Sequence, residues 1–206
     1  MNKVRFGIIG IGTMGTAHAN NLVKGLVTNG ELTAIADINA DKIKAAREKF
    51  GDGIKYFSSA KELIESGAAD AVIVATPHYF HPGISIAALN AGLNVVCEKP
   101  AGVYANQVRE MNEASLKSKG LFTVMFNQRT NCVYRKMREL ILAGEVGEIK
   151  RITWIITNWY RPQSYYDSSD WRATWSGEGG GVLANQCPHQ LDLLQWVAGM
   201  MPKRIR

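Results

Sequence analysis

The chain has 206 residues, of which 46% are hydrophobic and 20% charged, enough for one large folded domain or one and a half. The net charge is +6, but Lys and Arg are scattered and form no long basic block, so we expect no nucleic-acid partner. No apolar run approaches the length of a membrane span, and a strand-like run begins at Val4, which leaves no room for a signal peptide. These observations predict a cytoplasmic protein with no membrane partner.

The cysteines predict neither a disulfide framework nor a metal site. Cys97, Cys132 and Cys187 are widely spaced and odd in number, and no CxxC pair is present. We therefore expect a reducing compartment and no bound metal.

Strand-like and helix-like segments alternate through the first 127 residues. The predicted strands are 4–9, 31–36, 71–75, 94–97 and 121–126. The predicted helices are 14–26, 40–50, 59–66, 80–91 and 104–118. Short apolar strands such as AVIVAT and NVVCE are typical of parallel strands that are buried on both faces. The pattern predicts an α/β domain over 1–127, built on a doubly wound parallel sheet.

A glycine-rich segment follows the first predicted strand and opens the first predicted helix. Gly10, Gly12 and Gly15 fit G-x-G-x-x-G, with Thr13 and Met14 between the last two glycines. In this context the first glycine makes a tight turn, the second lets a pyrophosphate reach the backbone, and the third lets helix and strand pack closely. The phosphates would then lie at a helix N-terminus. The alternative is a glycine-rich turn without a ligand.

An acidic residue, Asp37, follows the second predicted strand in ELTAIADIN, 22 residues after Gly15. A carboxylate there can accept both hydroxyls of an adenosine ribose and would repel the extra phosphate of NADP. We therefore predict NAD as the cofactor, with NADP less suited. The alternative is that Asp37 caps the following helix, although Asn39 could cap it instead.

Further candidates follow the next two strands, because ligands of open α/β sheets bind at the carboxyl ends of the strands. Thr76 and Pro77 are expected to line the nicotinamide half of the cofactor site. His81 is either a local hydrogen-bonding residue or a catalyst. Glu98 and Lys99 end the next strand and are predicted at the cofactor site, where Lys99 could polarise a substrate oxygen or relay a proton. Their alternative is a surface salt bridge.

A second, incomplete domain is predicted over 128–206. A helix near 131–143 precedes a long strand at 149–160 and another helix at about 180–198. One strand with helices would leave a sheet edge and a sheet face uncovered, so we expect a chain that is truncated at its C-terminus.

The last helix carries a second group of candidate residues. The segment GGGVLANQCPHQLD at 179–192 places His189 and Asp192 three residues apart on one predicted helix face, so that the carboxylate can orient the imidazole. Asn185 is expected one turn earlier on the same side. The alternative is a polar pair on a helix surface.

Taken together, the motifs resemble those of the Gfo/Idh/MocA oxidoreductases, a family that includes glucose-fructose oxidoreductase and inositol dehydrogenase. The motifs are GIGTMG at 10–15, Asp37, ATP at 75–77, EKP at 98–100 and GGGVLxNxxxHxxD at 179–192. The resemblance implies a Rossmann domain followed by an α+β domain with an open, largely antiparallel sheet. It also implies an NAD(P)-dependent dehydrogenase of sugars, inositols or related polyols that forms homo-oligomers through that second sheet.

The resemblance also implies roles for individual residues. His189 would take the proton of a secondary alcohol, Asp192 would stabilise the imidazolium, and Lys99 would polarise the oxygen. Asn185 stands where the family often has aspartate, and an amide cannot take a proton at neutral pH. Two alternatives stay open: an NAD-dependent glycoside hydrolase, and a non-catalytic NAD-binding protein or fragment.

Aromatic residues crowd the predicted second domain, and aromatic faces suit the apolar face of a sugar ring. We expect Trp171 and Arg172 to contact the substrate, while most of the others cover the sheet or stabilise a loop. The aromatic residues are Trp154, Trp159, Tyr160, Tyr165, Tyr166, Trp171 and Trp175.

Overall fold

The computed structural model of the chain describes residues 3–157 and 160–204. It divides into two compact units, Met1–Met125 and Phe126–Arg206, a division close to the domain boundary predicted at 127. Within the described ranges, no helix is both long and apolar enough to cross a membrane.

The first unit is a six-stranded sheet in which every neighbouring pair of strands is parallel. The strands are β1 (Val4–Ile9), β2 (Gly30–Ala36), β3 (Lys55–Phe57), β4 (Ala71–Val74), β5 (Asn94–Cys97) and β6 (Phe122–Val124). The helices are α1 (Thr13–Val23), α2 (Ala40–Phe50), α3 (Ala60–Glu65), α4 (His81–Asn90) and α5 (Ala105–Lys117). The strand order β3-β2-β1-β4-β5-β6 reverses direction between β1 and β4, which is the point where ligands bind in doubly wound sheets.

Both faces of the sheet are buried, as the apolar strand sequences predict. Successive residues of β4 belong to different core clusters: Val72 and Val74 pack in one cluster and Ile73 in the other. Because side chains alternate along a strand, the two clusters lie on opposite faces of the sheet. The predicted doubly wound parallel sheet is therefore confirmed.

Strand β3 was not predicted from the sequence, and some helix ends lie a few residues from their predicted positions. Lys55–Phe57 has only three residues, which is too short for an alternating pattern to show, and it pairs with β2 at the edge of the sheet. The predicted helix at 80–91 starts at His81, after a short 3₁₀ turn over His78–Phe80. The carboxyl ends of β1 and β5 lie where they were predicted, and that of β4 lies one residue earlier.

The described part of the second unit consists of helices and loops. Its helices are α6 (Cys132–Leu142), α7 (Gln163–Tyr166), α8 (Trp175–Glu178), α9 (Val182–Asn185) and α10 (Pro188–Ala198). Leu193 and Val197 of α10 are buried, and Arg138 of α6 donates a hydrogen bond to the carbonyl of Trp196 in α10. The helix predicted near 131–143 is therefore present as α6, packed against α10.

The strand predicted at 149–160 is not formed over 149–157, and residues 158 and 159, Trp159 included, lie outside the described residues. A β-strand exists through hydrogen bonds to a neighbouring strand, and the described part of this unit offers none. The open antiparallel sheet that the resemblance implies is accordingly not confirmed.

The helix predicted at 180–198 is broken into α9 and α10. Pro188 is the first residue of α10, and proline has no N–H to continue a preceding helix. Asn185 therefore belongs to a different helix from His189, and the expectation that the two share one helix face is wrong.

Candidate functional site

The glycine-rich segment has the geometry that the motif requires. Gly10 has a φ of +91°, and a Cβ there would lie 2.8 Å from the carbonyl oxygen of Ala75, just beyond β4. A Cβ on Gly15 would lie 1.9 Å from the carbonyl oxygen of Gly10, so only glycine lets α1 pack this closely on the loop. A Cβ on Gly12 would meet nothing within 4 Å, so the space in front of its backbone is open.

The N-terminus of α1 begins in this open space. Gly12 is its extended N-cap residue and provides no side-chain hydrogen bond, while Thr13 and Met14 are exposed. The first amides of a helix have no partner within the helix, and the helix dipole favours a negative charge there. The backbone of this turn is therefore suited to a phosphate group.

Asp37 is fixed beside the glycine-rich segment. Its Oδ2 accepts a hydrogen bond from the backbone N–H of Ile11 at 2.9 Å, and its Oδ1 accepts one from the N–H of Asn39 at 2.9 Å. The cap of α2 is Asn39, whose side chain accepts bonds from two backbone amides of the first turn. Asp37 therefore does not cap α2, and its half-buried carboxylate stands at the end of β2 next to the loop.

The turn after β4 carries Thr76 and Pro77 and is held by a buried histidine. The ring nitrogens of His81 lie 2.7 Å from the carbonyl oxygens of Thr76 and Pro100, so the imidazole joins the turns after β4 and β5. Burial lowers the pKa of His81, although Glu98 and the carbonyl contacts act in the opposite direction. These contacts make His81 a structural residue.

The same turn contains an unsatisfied hydroxyl. The Oγ1 atom of Thr76 is buried and has no hydrogen-bond partner among the described residues. A buried hydroxyl without a partner is costly, and a polar group of a ligand would satisfy it. This observation is consistent with the predicted position of Thr76 in a cofactor site.

Glu98 is buried and connects two elements of the first unit. Its Oε1 lies 2.7 Å from Nε2 of His18 in α1, and its Oε2 accepts a hydrogen bond from the backbone N–H of Lys99 at 3.2 Å. The carboxylate thus joins α1 to the turn that carries Lys99. Because Glu98 is buried, its contacts are not a surface salt bridge. His18 was not among the residues predicted from the sequence, although it lies only one turn beyond Gly15.

Cys97 precedes this pair at the end of β5. Its thiol is fully buried and lies 3.3 Å from the carbonyl oxygen of Glu98. Burial disfavours the thiolate and raises the pKa of Cys97 to about 12. The side chain is therefore an uncharged thiol, and it contacts the backbone of the turn that carries Glu98 and Lys99.

In the second unit, the Asp192 carboxylate is hydrogen-bonded to an arginine. Nε of Arg129 donates to Oδ2 of Asp192 at 2.7 Å, and Nη2 of the same guanidinium donates to Oδ1. The bidentate contact raises the pKa of Arg129. The His189 ring packs edge-on against Phe126, with 6.1 Å between the ring centroids.

Asn185 is buried and paired with an acid. Its side-chain amide donates a hydrogen bond to Oε1 of Glu178, and both side chains are less than one tenth exposed. Glu178 was not among the residues predicted from the sequence. A carboxylate therefore stands beside the position at which the resemblance leads one to expect aspartate.

The expected substrate contacts Trp171 and Arg172 lie together. The Arg172 guanidinium carbon is 4.7 Å from the centroid of the Trp171 ring and 4.2 Å from that of Tyr165. Arg161 packs over the same Tyr165 ring at 4.0 Å. Among the other aromatic residues, Tyr160 and Trp175 are largely exposed, while Trp154 packs on a tyrosine of α6.

The first unit thus brings together most of its predicted site residues at the carboxyl ends of its strands. The open face of Gly12, the uncapped start of α1, the fixed Asp37 carboxylate and the unsatisfied Thr76 hydroxyl fit a dinucleotide. Across residues 3–157 and 160–204, no group of His, Cys, Asp and Glu is arranged to hold a metal ion.

Comparison with known proteins agrees with this geometry. The model of the oxidoreductase family with an NAD-binding Rossmann fold, Gfo/Idh/MocA, matches residues 4–126. The model of the Gfo/Idh/MocA C-terminal domain matches residues 134–206. The chain spans 53% to 61% of the length of three of the curated relatives that it matches.

Individual relatives and solved structures agree with the family models. Inositol 2-dehydrogenase 3 of Saccharopolyspora erythraea is 32% identical over 94% of this chain and 53% of its own length. The WlbA dehydrogenase of Bordetella pertussis, solved with NADH and UDP-GlcNAcA, has a TM-score of 0.82 at 31% identity, covering 95% of this chain and 59% of its own. The scyllo-inositol dehydrogenase of Lactobacillus casei, solved with NAD(H) and scyllo-inositol, has a TM-score of 0.80 at 25% identity, covering 96% and 57%. The chain belongs to the Gfo/Idh/MocA oxidoreductase family.

Proposed function

We propose that this chain carries the NAD site and the catalytic residues of a dehydrogenase acting on a secondary alcohol of a sugar, an inositol or a related polyol. The observation that carries the proposal is the open backbone of Gly12 beside the fixed carboxylate of Asp37. The backbone at Gly12 offers amide donors to a pyrophosphate, and the Asp37 carboxylate offers an acceptor to ribose hydroxyls. The relatives named above, which are dehydrogenases of inositols and of a nucleotide-linked sugar, support the substrate class.

The proposed cofactor site is built entirely from the first unit. Asp37 would accept the adenosine ribose hydroxyls, and the first turn of α1 would hold the pyrophosphate. The unsatisfied hydroxyl of Thr76 would form a hydrogen bond with the nicotinamide half of the cofactor, near Pro77. The remaining residues assigned to this site are Gly10, Gly12, Thr13, Met14, Gly15, Glu98 and Lys99.

The choice of NAD over NADP is expected to depend on the charge of Asp37. Asp37→Asn keeps an oxygen that can accept from Ile11 but removes the charge that repels a 2′-phosphate, so the preference for NAD should fall by about 10-fold. Calorimetric titration with NAD and NADP measures it. Asp41→Asn, an exposed acid in the first turn of α2, is the matched control and should leave the preference unchanged. Equal preference in Asp37→Asn and in the unaltered chain would contradict the assignment.

We assign the chemical roles as follows. When bound, the nicotinamide supplies the hydride acceptor. Lys99 polarises the reacting oxygen, and its position is fixed by the bond from its backbone N–H to the buried Glu98 carboxylate. His189 accepts the hydroxyl proton at a ring nitrogen. Asp192, whose carboxylate is held by Arg129, would stabilise the imidazolium that forms at His189.

Asn185 and Glu178 complete the proposed substrate-binding residues of the second unit. The Asn185 amide cannot accept the proton of a hydroxyl group, but its carbonyl oxygen can accept a hydrogen bond from one. Its NH₂ group donates to Glu178, which fixes the orientation of the amide. We therefore propose that Asn185 orients the substrate and takes no part in proton transfer.

The proposal is tested by NADH formation from a panel of neutral and acidic sugars and inositols. Net NADH that accumulates in proportion to the polyol oxidised supports a dehydrogenase. An NAD-dependent glycosidase would release a sugar from a glycoside with no net NADH, and a non-catalytic protein would bind NAD without turnover. The named relatives favour the dehydrogenase over both alternatives. Homo-oligomerisation and a cytoplasmic location stay predictions.

A further inference from the structure

Helix α1 carries a histidine to which the proposed function assigns no role. His18 lies three residues after Gly15, so it shares the face of α1 on which Gly15 packs against β1. Only 15% of its side chain is exposed, and its Nε2 lies 2.7 Å from Oε1 of Glu98. An ionised carboxylate can only accept a hydrogen bond, so Nε2 of His18 is the nitrogen that donates.

The Glu98 carboxylate connects His18 to the lysine turn through its two oxygens. The backbone N–H of Glu98 donates to the carbonyl of Val74 at 2.9 Å, so the side chain starts from a fixed point at the end of the sheet. Its Oε1 meets His18, and its Oε2 accepts from the backbone N–H of Lys99 at 3.2 Å. The Glu98 side chain is 8% exposed, and burying a carboxylate is costly unless its oxygens are bonded. The bond to His18 therefore helps to keep the carboxylate where Lys99 can use it.

The turn of Lys99 is held on both sides by an imidazole. On one side His18 reaches it through Glu98, and on the other the His81 ring lies 2.7 Å from the carbonyl oxygen of Pro100. The two histidines differ in what they connect. His81 joins this turn to the turn after β4, whereas His18 joins it to α1, whose first amides form the proposed phosphate site. Two hydrogen bonds thus link the proposed cofactor-binding helix to the backbone of the lysine.

We propose that His18 is a positioning residue for Lys99, which it holds at a fixed distance from α1 through the Glu98 carboxylate. The proposal rests on the proposed function, in which Lys99 polarises the reacting oxygen. Without a donor at His18, Oε1 of Glu98 loses its partner and the carboxylate turns towards water, which weakens its bond to the N–H of Lys99. A displacement of about 1 Å in a catalytic group can lower a rate by about 100-fold.

Two substitutions of His18 separate the hydrogen bond from the volume of the ring. His18→Leu removes the donor and keeps a large side chain, whereas His18→Gln keeps an N–H donor that can reach Glu98. His18→Leu should lower kcat by about 10- to 100-fold and leave NAD affinity unchanged, because the first amides of α1 and the Asp37 carboxylate are untouched. His18→Gln should retain most of kcat. Steady-state NADH formation and calorimetric titration with NAD measure the two quantities.

A second readout needs no substrate. The bond from the backbone N–H of Lys99 to Glu98 protects this amide from exchange with deuterium in the solvent. Exchange followed by NMR on the unliganded chain should be about 10-fold faster in His18→Leu and unchanged in His18→Gln. If His18→Leu does not fold, His18→Asn, whose amide is too short to reach Glu98, takes its place in both measurements.

The ion pair of Arg5 with Asp70 provides a matched control. It also joins two segments of the first unit, but at the amino ends of β1 and β4, and both side chains are 44% exposed. Arg5→Gln should lower the midpoint of thermal unfolding without changing kcat or exchange at Lys99. A double variant tests the route of the effect: once Glu98→Leu has removed the carboxylate, adding His18→Leu should lower kcat no further.

The outcomes separate this proposal from the proposed function. If the unaltered chain oxidises polyols and His18→Leu keeps full kcat or leaves exchange at Lys99 unchanged, the positioning role is overturned and the proposed function stands. A loss of NAD affinity as large as the loss of kcat, or a further loss of kcat in the double variant, would also overturn it. If the unaltered chain oxidises no polyol, the proposed function fails, and exchange at Lys99 then decides whether His18 holds the lysine turn.

Discussion

Replacing Gly15 by alanine is expected to lower the free energy of unfolding by about 3 kcal/mol and to abolish NAD binding. The added Cβ would lie 1.9 Å from the carbonyl oxygen of Gly10 and 3.2 Å from a methyl carbon of Ile8. A backbone carbonyl cannot rotate out of the way as a flexible side chain can. Helix α1 would have to move away from the loop, and its first amides would move with it. Urea unfolding and calorimetric titration with NAD measure the two effects.

Gly83 and Gly12 provide controls for this prediction. Gly83 is also helical, in α4, but a Cβ there meets nothing within 4 Å, so Gly83→Ala should be neutral or stabilising by up to about 1 kcal/mol. Gly12→Ala also has open space and should leave the unliganded protein stable, yet its Cβ would stand where the pyrophosphate approaches. Tight NAD binding by both Gly12→Ala and Gly15→Ala would refute the cofactor site.

Replacing His189 by alanine is expected to lower kcat by about 100- to 10,000-fold, the range that a general base contributes. NAD affinity should stay the same, because every residue assigned to the cofactor belongs to the first unit. The decisive measurement is steady-state NADH formation with the best substrate of the panel, together with NAD titration of the same sample. Undiminished turnover in His189→Ala would show that another group takes the proton.

The neighbouring residue Leu191 supplies a matched control on the same helix. Its side chain is 46% exposed, so Leu191→Ala shortens an exposed side chain of α10 without opening a cavity. Its turnover and NAD affinity should equal those of the unaltered chain. A loss in both variants would point to disturbance of α10 and not to the removal of a base.

Most of the first unit could be predicted from local sequence because its strands are buried on both faces. Continuous apolar runs such as Ala71–Val74 are distinctive, and the helices between them have clear ends. The edge strand Lys55–Phe57 was not predicted, because three residues are too few to show the alternation of apolar and polar residues that marks a strand. The strand expected at 149–160 is not formed over 149–157 for a different reason. A β-branched and aromatic run indicates strand propensity, but propensity forms a strand only where a partner strand is available.

The candidate site was predictable where backbone geometry determines the residue type. The glycines of the loop and Asp37 are of this kind, since each has a fixed relation to the first two strands. Contacts between distant segments were not predictable. The pairing of His18 with Glu98 and of Arg129 with Asp192 joins residues far apart in sequence, and no spacing rule connects them.

The buried thiol of Cys97, next to Glu98 and Lys99 in the chain, should resist oxidants. Peroxides and disulfides react with thiolates, and a pKa of about 12 leaves Cys97 almost wholly protonated at neutral pH. Its side chain is also fully buried, whereas Cys132 is exposed. Oxidative damage to the folded chain should therefore begin at Cys132 in α6 and spare the strand that supports Lys99. The cysteine next to the proposed cofactor site should therefore not react with oxidants as long as the sheet is folded.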